Sequence, residues 1–574
     1  MNVYPNAQIT TDHESCSMLV EVLARQGVAH AVISPGSRNA PLIVAFAREK
    51  RIKCFVIVDE RSAAFAALGI AQQTHKPVAV VCTSGSAVLN YAPAAAEAYY
   101  RHLPLIFISA DRPAEWIDQN DSQTIRQFGS LANVVKRSFN FPSSVNSDND
   151  KWWINRMAND AAISAVRSPM GPIHINVQLG EPLCGVTNRP SDTTRIVCDC
   201  NIQRALGDTD ANIYAHTIAS TKRVMIVASM CDENERLNNA LSLIASLPNV
   251  IVLSETIANI HNPNFIPTID RTLSAIDASE CIEFAPQLLI TFGGAPVTRM
   301  LKHFLRTYKA SQHWRIGIDD NLIDTIQNLS HAFPIEPADF FTQIAENLSN
   351  SNKAEYICSD YAKLWKLAEA KAAMCHKSFI DNAPWCDLKA FSIVLPKIPK
   401  GTFLQLSNGT PIRYAQLFDS PNLLHSYCNR GVAGIDGTTS TALGASLAHN
   451  DADTLLITGD MSLSYDLSGL ASQYNSARFK IIVMCNGGGG IFRFINGPSS
   501  LPELEQYFEV NRHTPVKEYA SAFGFDFFEA ASADELKSVL PEFFSHHRAS
   551  ILSVYTPNKL NANILKDYFV ALKG

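Results

Sequence analysis

The sequence has no long apolar run and no block of basic residues. No stretch approaches the roughly 18 consecutive apolar residues of a membrane-spanning helix. Residues 1–15 contain Asn2, Asn6, Asp12 and Glu14 where a signal peptide would have its apolar centre. The 574 residues carry a formal charge of −6, whereas nucleic-acid binding depends on concentrated Lys and Arg. We therefore expect a cytoplasmic protein without a membrane span and without a nucleic-acid partner.

The sequence also lacks the cysteine spacing of a disulfide framework or a zinc site. Its 13 cysteines are scattered, and Cys54, Cys82 and Cys485 lie in strand-like apolar runs, as is typical of reduced, buried thiols. Cys198 and Cys200 form an isolated C-x-C without a second pair of ligands. That pattern does not favour zinc binding.

What the sequence does contain is a repeated alternation of short apolar runs and helical stretches. At roughly 150 residues per domain, its length predicts three or four domains. The alternation predicts an α/β protein with three doubly wound parallel-sheet domains. The predicted strands are 31–34, 54–58, 78–82, 105–109 and 173–177, then 224–228, 250–253, 288–291 and 315–318, then 403–406, 455–457 and 481–484. We assign residues 1–186, 213–350 and 380–574 to the three domains and the polar stretch 187–212 to a linker.

Two polar residues follow neighbouring predicted strands of the third domain. Asp460 closes the first strand, and Asn486 closes the second, 26 positions later, with a predicted helix over 463–475 between them. Parallel strands joined in this way end at the same sheet edge. A carboxylate, an amide oxygen, a backbone carbonyl and phosphate oxygens together satisfy the roughly six oxygen ligands of Mg²⁺. The pattern indicates a metal-bridged diphosphate site, although Asp460 alone would also suit a helix N-cap.

A glutamate stands directly before the best predicted helix of the first domain. This helix, residues 61–73, is rich in Ala and has apolar residues at helical spacing. Taken by itself, Glu60 could simply stabilise the start of the helix through the helix dipole.

Seven segments, in order along nearly the whole chain, resemble those of one enzyme family. They are Ser34-Pro35-Gly36-Ser37-Arg38, Asp59-Glu60-Arg61-Ser62-Ala63, Thr83-Ser84-Gly85-Ser86-Ala87, Ala110-Asp111-Arg112-Pro113, Gln123-Thr124-Ile125-Arg126-Gln127, Asn429-Arg430-Gly431-Val432-Ala433-Gly434-Ile435-Asp436-Gly437 and Gly459-Asp460-Met461-Ser462. The glutamate and the metal pair resemble the thiamine diphosphate enzymes. Within them the chain resembles the family of 2-succinyl-5-enolpyruvyl-6-hydroxy-3-cyclohexene-1-carboxylate (SEPHCHC) synthase of menaquinone biosynthesis.

The resemblance implies a carboligase with two small-molecule substrates. Such an enzyme decarboxylates 2-oxoglutarate and adds the resulting succinyl-semialdehyde carbanion to isochorismate, giving SEPHCHC and CO₂. It implies thiamine diphosphate with Mg²⁺, or Mn²⁺, as cofactors. It also implies pyrimidine-binding, central and diphosphate-binding domains, in a homodimer or homotetramer with active sites at the subunit interface.

The resemblance also assigns roles to individual residues. Glu60 would hydrogen-bond the aminopyrimidine ring, and Ile435 would hold the cofactor in its bent shape, although an apolar side chain is by default core. Catalytic roles fall on Glu60, Ser37, Arg38 and Gln123, and substrate binding falls on Arg38, Arg112, Gln123, Arg299, Arg413 and Arg430. Cofactor binding falls on Glu60, Ser84, Gly85, Asn408, Gly409, Thr410, Ile435, Gly459, Asp460, Met461, Ser462, Asn486 and Gly488, and metal binding on Asp460, Asn486 and Gly488.

Several positions depart from the pattern of relatives. Gly409 stands where a serine is usual, and Met300 stands where a second basic residue can occur, which puts single substrate contacts in doubt. Met461 and Gly487 also differ from many members of the superfamily. Two alternatives stay open: an acetolactate-synthase-like enzyme, although the central domain has no G-x-G-x-x-G nucleotide motif, and a non-catalytic relative that retains the fold.

Overall fold

The computed structural model describes residues 7–190, 194–200, 202–319, 321–350, 357–419, 425–449, 451–495, 497–510 and 512–573. The chain forms two compact units. The first unit consists of Met1–Asn201, Gly431–Asp451 and Tyr465–Asn475, and the second of Ile202–Arg430, Ala452–Ser464 and Ser476–Gly574.

The strands form three six-stranded parallel sheets and one antiparallel pair. The strands are β1 (Ala7–Thr11), β2 (His30–Ile33), β3 (Lys53–Val56), β4 (Val78–Cys82), β5 (Leu105–Asp111), β6 (Ser138–Phe141), β7 (Ile173–Gln178), β8 (Val186–Pro190), β9 (Val224–Ala228), β10 (Val250–Ser254), β11 (Phe265–Ile266), β12 (Leu288–Phe292), β13 (Gln312–Ile316), β14 (His331–Phe333), β15 (Phe403–Leu406), β16 (His425–Tyr427), β17 (Thr454–Gly459), β18 (Phe479–Cys485), β19 (Asp526–Ala530) and β20 (Ser550–Tyr555).

Helices connect the strands of each sheet. They are α1 (Glu14–Arg25), α2 (Ala40–Arg48), α3 (Glu60–Thr74), α4 (Ala92–Tyr100), α5 (Asp148–Val166), α6 (Asp208–Ser220), α7 (Glu235–Ile244), α8 (Ile269–Ser274), α9 (Cys281–Phe284), α10 (Arg299–Thr307), α11 (Pro337–Asn350), α12 (Tyr361–Asn382), α13 (Asp387–Val394), α14 (Thr410–Ala415), α15 (Thr438–Ala448), α16 (Asp460–Tyr465), α17 (Val516–Ala522), α18 (Ala533–Ser545) and α19 (Asn558–Ala571). Among the described residues, no helix combines the length and apolar character needed to cross a membrane.

The order of the strands creates a crevice in each sheet. The first unit has the order β3-β2-β4-β5-β7-β6, and the second unit has β11-β10-β9-β12-β13-β14 and β16-β15-β17-β18-β20-β19. In each sheet the chain moves first toward one edge and then toward the other. The connections after the two strands at this reversal run in opposite directions and leave a crevice at the carboxyl edge, where ligands bind in doubly wound folds.

The expected fold class, three doubly wound parallel-sheet domains, is confirmed. Most interior strands agree with the prediction because they are buried on both faces; β4, for example, is buried at every position. The interior strand β20 was not predicted. The domain boundaries 1–186, 213–350 and 380–574 stay predictions.

Two local expectations are wrong. Part of the proposed linker forms β8, which pairs antiparallel with β1; residues 191–193 and 201 of that stretch lie outside the described residues. The helix expected over 463–475 is also absent. The α16 helix ends at Tyr465 because buried Asp466 accepts hydrogen bonds from the backbone N–H and hydroxyl of Ser440 at 2.7 and 2.8 Å.

Two glycines let α3 and α15 pack at close range within the first unit. A Cβ atom on Gly69 would overlap the carbonyl oxygen of Thr441, and one on Gly444 would overlap the carbonyl oxygen of Ala66. In both cases the obstacle is helix backbone, which cannot rotate away as a side chain can. The absence of side chains at these positions therefore sets the separation of the helices.

We predict that Gly69→Ala lowers the free energy of unfolding by about 1–3 kcal/mol, because overpacking outweighs the roughly 1 kcal/mol of helix propensity gained. Urea denaturation measures the loss. The matched control is Gly180→Ala, whose Cβ would meet only Pro113, at 3.8 Å, and should change stability by less than about 0.5 kcal/mol. Equal stability of the two variants would contradict the proposed close packing.

Candidate functional site

In the first unit, the candidate residues lie in turns at the carboxyl ends of adjacent strands. A Cβ on Gly36 would overlap the Thr83 side chain, so the turn after β2 lies directly against the turn after β4. Ser37 is exposed in the first turn, and Ser84 and Gly85 are buried in the second. Gly85 has a φ of 85°, a conformation that glycine adopts without strain.

Glu60 is the first residue of α3 and is half-buried. The helix is capped by Asp59, which accepts a hydrogen bond from the backbone N–H of Ser62 at 3.1 Å, so Glu60 is not needed as the cap. Burial raises the pKa of Cys82 and of Tyr91, and the nearby Glu60 charge raises both further. The Glu60 carboxylate therefore lies beside the end of β4.

Arg38 and Arg112 lie close together in the same unit. Buried Arg38 donates to the carbonyl oxygen of Leu179 at 2.9 Å and pairs with Glu181 at 3.0 Å. Arg112 pairs with Asp121 at 3.1 Å. Burial lowers the pKa of Arg38, and the Arg112 charge lowers it further. Each guanidinium group is thus paired with a carboxylate of the chain, and an anionic ligand at this edge would have to share or replace these partners.

The segment that carries Gln123 is fastened to the sheet by Gln127. Gln123 is exposed and has a φ of 56°. Gln127 is 1% exposed; it accepts the backbone N–H of Gly85 at 3.1 Å and donates to the carbonyl oxygen of Ala110 at 2.9 Å. Gln127 stood in a motif without an assigned role, and its hydrogen bonds show that it holds the Gln123 segment against the β4 turn.

Ile435 is half-buried in the glycine-containing loop before α15. The start of this loop is held by Glu97, a buried carboxylate on α4 that accepts the backbone N–H groups of Gly431 and Val432 at 2.8 and 2.7 Å. Glu97 was not predicted from the sequence. Its contribution is to fix where the loop that carries Ile435 begins.

In the second unit, Asp460 joins the ends of β17 and β18. Its buried carboxylate accepts the backbone N–H groups of Met461, Gly487 and Gly488 at 2.7, 2.9 and 3.1 Å. Burial raises the pKa of Asp460 to about 6, although these hydrogen bonds oppose the shift. Asp460 thus bonds mainly to the neighbouring turn instead of capping its own helix.

The residues around Asp460 leave backbone accessible. A Cβ on Gly459 would meet no atom within 4 Å, so this side of the turn is open. Gly488 has a φ of 123°, and a Cβ there would overlap the carbonyl oxygen of Glu509. Met461 is half-buried and Ser462 is buried.

Asn486 lies buried at the end of β18 and is held by a residue that the sequence did not reveal. Its side-chain amide Nδ2 donates to the carboxylate Oδ2 of Asp387 at 2.9 Å. A carboxylate, an amide oxygen and flexible glycine backbone therefore meet at this sheet edge, and this is a donor set suited to a hard divalent cation.

A third turn of the second unit follows β15. Asn408 donates to the carbonyl oxygen of Asn429 at 2.6 Å and accepts from the Arg430 guanidinium at 2.9 Å. Gly409 has a φ of 95°, so the glycine at this departure from the family suits its backbone conformation. Thr410 begins α14.

Three predicted substrate residues form a basic cluster in the second unit. Burial lowers the pKa of Arg413, and the charges of Arg299 and Arg430 lower it further. Lys302 belongs to the same cluster, because burial and then the Arg430 charge lower its pKa. Lys302 was missed from the sequence; it supplies a second basic residue two positions after Met300.

Two acids lie against this cluster. Glu255 accepts the backbone N–H groups of Val297 and Thr298 at 2.7 and 2.9 Å. Burial raises the pKa of Glu255 to about 7, against the effect of those hydrogen bonds. Asp270 accepts the hydroxyl of Thr298 and lies within electrostatic reach of Arg413 and Lys302. These acids partly balance the four cations.

Protein-family models match the two parts of the chain that hold most of the turns described above. Residues 15–130 match the family described as "Thiamine pyrophosphate enzyme, N-terminal TPP binding domain", and residues 409–554 match its C-terminal TPP binding domain. A Porphyromonas gingivalis protein named 2-succinyl-5-enolpyruvyl-6-hydroxy-3-cyclohexene-1-carboxylate synthase is 42% identical over 98% of each chain. Proteins of the same name from Flavobacterium psychrophilum and Flavobacterium johnsoniae are 39% and 38% identical, over 96% of this chain and 97% and 98% of theirs.

We predict that Gln127→Ala lowers the free energy of unfolding by about 1–3 kcal/mol, because it leaves buried backbone groups of Gly85 and Ala110 without a partner. Urea denaturation of the cofactor-free protein measures this loss. Gln123→Ala changes the same residue type in the same segment but at an exposed position, and should cost less than about 0.5 kcal/mol. A similar cost for both would show that Gln127 does not fasten the segment.

Proposed function

The chain belongs to the SEPHCHC synthase family of thiamine diphosphate enzymes, and we propose on that premise that it joins 2-oxoglutarate to isochorismate. The product is SEPHCHC, formed with release of CO₂ in menaquinone biosynthesis. The observation that carries the proposal is the hydrogen bond of Arg430 to Asn408 at 2.9 Å. It ties the basic cluster to one of the turns assigned to the cofactor.

Thiamine diphosphate is the cofactor of this family of domains. When bound, it supplies an electron sink for the negative charge left as 2-oxoglutarate loses CO₂. Glu60 would hold the aminopyrimidine ring by a hydrogen bond, and Ile435 would support the bent shape of the cofactor. The turns at Ser84-Gly85, Asn408-Gly409-Thr410 and Gly459-Asp460-Met461-Ser462 would line the rest of its site.

The diphosphate would be held through a divalent cation, Mg²⁺ or Mn²⁺. Asp460 would supply a carboxylate oxygen, Asn486 its amide oxygen and Gly488 its backbone carbonyl. The donor set supports this assignment, since hard cations take carboxylate, amide and carbonyl oxygens.

The two basic groups would bind the substrates, both of which are dianions. In the first unit, Arg38 and Arg112 would bind carboxylate with Ser37 and Gln123 beside them. In the second unit, Arg299, Arg413 and Arg430 would do so, with Lys302 adding charge. Guanidinium groups in a partly dry site bind carboxylates strongly because both partners lose water and gain charged hydrogen bonds.

We further propose a cytoplasmic homodimer or homotetramer. The family resemblance supports this assembly, and size-exclusion chromatography with light scattering distinguishes the two states.

The nearest alternative is an acetolactate-synthase-like enzyme, several of which bind a flavin. A purified sample without flavin absorbance that converts 2-oxoglutarate only when isochorismate is present would exclude it. Cofactor binding without turnover of any 2-oxo acid would instead favour a non-catalytic relative.

We predict that Glu60→Gln lowers CO₂ release from 2-oxoglutarate and isochorismate by about 100-fold or more, because proton transfer within the cofactor loses its partner. Thiamine diphosphate should still bind, as isothermal titration calorimetry would show. The control is Glu280→Gln, which changes an exposed acid and should leave turnover unchanged. Near-normal CO₂ release by Glu60→Gln would reject the role assigned to Glu60.

Metal binding should weaken as the pH falls through about 6, because burial raises the pKa of Asp460 to about 6 and a proton then competes with the cation. Below that pH we expect about tenfold weaker Mn²⁺ binding per pH unit. Electron paramagnetic resonance with saturating thiamine diphosphate measures free Mn²⁺. Asp460→Asn should bind weakly at every pH; wild-type affinity in that variant would remove Asp460 from the metal site.

A further inference from the structure

Asp387 is a buried acid next to the candidate metal residues and has no role in the assignments above. It lies in the first turn of α13 and is 1% exposed. Its carboxylate oxygen Oδ2 accepts the side-chain amide of Asn486 at 2.9 Å. A carboxylate at such a depth requires hydrogen-bond partners, and one of them is a proposed metal ligand.

This hydrogen bond decides which way the Asn486 amide points. An ionised carboxylate only accepts hydrogen bonds, so the NH₂ group of the amide must face it and the amide oxygen must face away. A cation can be bound by the amide oxygen but not by the NH₂ group. If the amide were turned over, Asn486 would present N–H donors where a cation requires an oxygen.

The Asp387 side chain is itself held in place on both sides. Its other oxygen, Oδ1, accepts the hydroxyl of Thr556 at 2.5 Å, and its backbone N–H donates to the side chain of Asn561 at 2.8 Å. Asn561 in turn donates to the Thr556 hydroxyl at 3.2 Å. The end of β20 and the start of α19 therefore fix the carboxylate, which in turn fixes Asn486.

The charges around this site are also unbalanced. Asp387 lies close enough to Asp460 for its charge to act on that carboxyl group. Within the part of the chain that the structure describes, no Lys, Arg or His charge stands among the groups that act on the pKa of either acid. Two buried carboxylates without a cationic side chain are costly unless a cation from solution joins them.

We propose that Asp387 is a positioning residue that turns the amide oxygen of Asn486 toward the divalent cation and adds a second negative charge behind it. The proposal rests on the metal site proposed for Asp460 and Asn486. Asp387 does not contact the cation; it acts through Asn486, as acids behind metal ligands do in other metalloproteins.

The test measures Mn²⁺ affinity and not turnover. With saturating thiamine diphosphate, electron paramagnetic resonance should show about 10–100-fold weaker Mn²⁺ binding for Asp387→Leu. Asp387→Asn keeps an acceptor for Asn486 and loses only the charge, so its affinity should lie between those of Asp387→Leu and the wild type. If Asp387→Leu does not fold, the smaller variant Asp387→Ser takes its place. The serine hydroxyl is too short to replace the carboxylate, so Mn²⁺ binding should weaken to the same extent.

Thr556→Val is the matched control, because it removes a hydrogen bond to the same carboxylate without touching Asn486. It should lower thermal stability and weaken Mn²⁺ binding much less than Asp387→Leu does, because the Asn486 amide still meets the Asp387 carboxylate. Wild-type Mn²⁺ affinity in folded Asp387→Leu or Asp387→Ser would overturn the proposal, as would equal losses in Thr556→Val. Asn486→Ala tests the underlying site: if it also binds Mn²⁺ normally, the metal site itself is wrong, whereas a loss confined to Asn486→Ala rejects only the role of Asp387.

Discussion

The arrangement of the second unit depends on the hydrogen bonds that Asp460 accepts from Gly487 and Gly488. They join the turn after β17 to the turn after β18, two parallel strands paired in register up to Gly459 and Met484. Because both strands end at the same level, their turns meet without any long loop. A carboxylate, an amide and glycine backbone are thereby placed together by sheet geometry, and the chemistry of the site follows from that placement.

The sequence predicted most interior strands and few edge strands; the interior strand β20 was missed because Ser550 and Ser553 interrupt its apolar run. Interior strands such as β4 are uninterrupted apolar runs because helices cover both of their faces. The edge strand β19 was missed because most of it is only partly buried and it carries Asp526 and Glu529. The prediction of a helix over 463–475 was wrong for a different reason. Asp466 accepts a hydrogen bond from Ser440, 26 positions away, and local helix propensity does not show such a contact.

Some residues of the candidate site could be predicted from the sequence, and others could not. Turn residues were predictable because glycine and polar residues at strand ends are visible in short motifs. The residues that hold those turns were not, since their partners are remote in sequence. Gln127 reaches Gly85 across 42 positions, Asn486 reaches Asp387 across 99, and Glu97 reaches Gly431 across 334. Nothing in the flanking residues distinguishes these side chains from ordinary surface polar groups.

The second unit holds acids at the candidate metal site and an excess of cations in the basic cluster. Asp387 and Asp460 place two buried carboxylates near the ends of β17 and β18. The opposite charge lies on Arg299, Lys302, Arg413 and Arg430, and in the described part of the chain Glu255 and Asp270 are the acids whose charges act on Lys302 and Arg413. Four cations against two acids leave an excess of at least two positive charges, and because burial raises the pKa of Glu255 to about 7, the excess is larger when that acid is protonated. Arg299 is exposed and the other three cations are half-buried, so this basic excess would attract an anion, and one dianionic substrate would neutralise it.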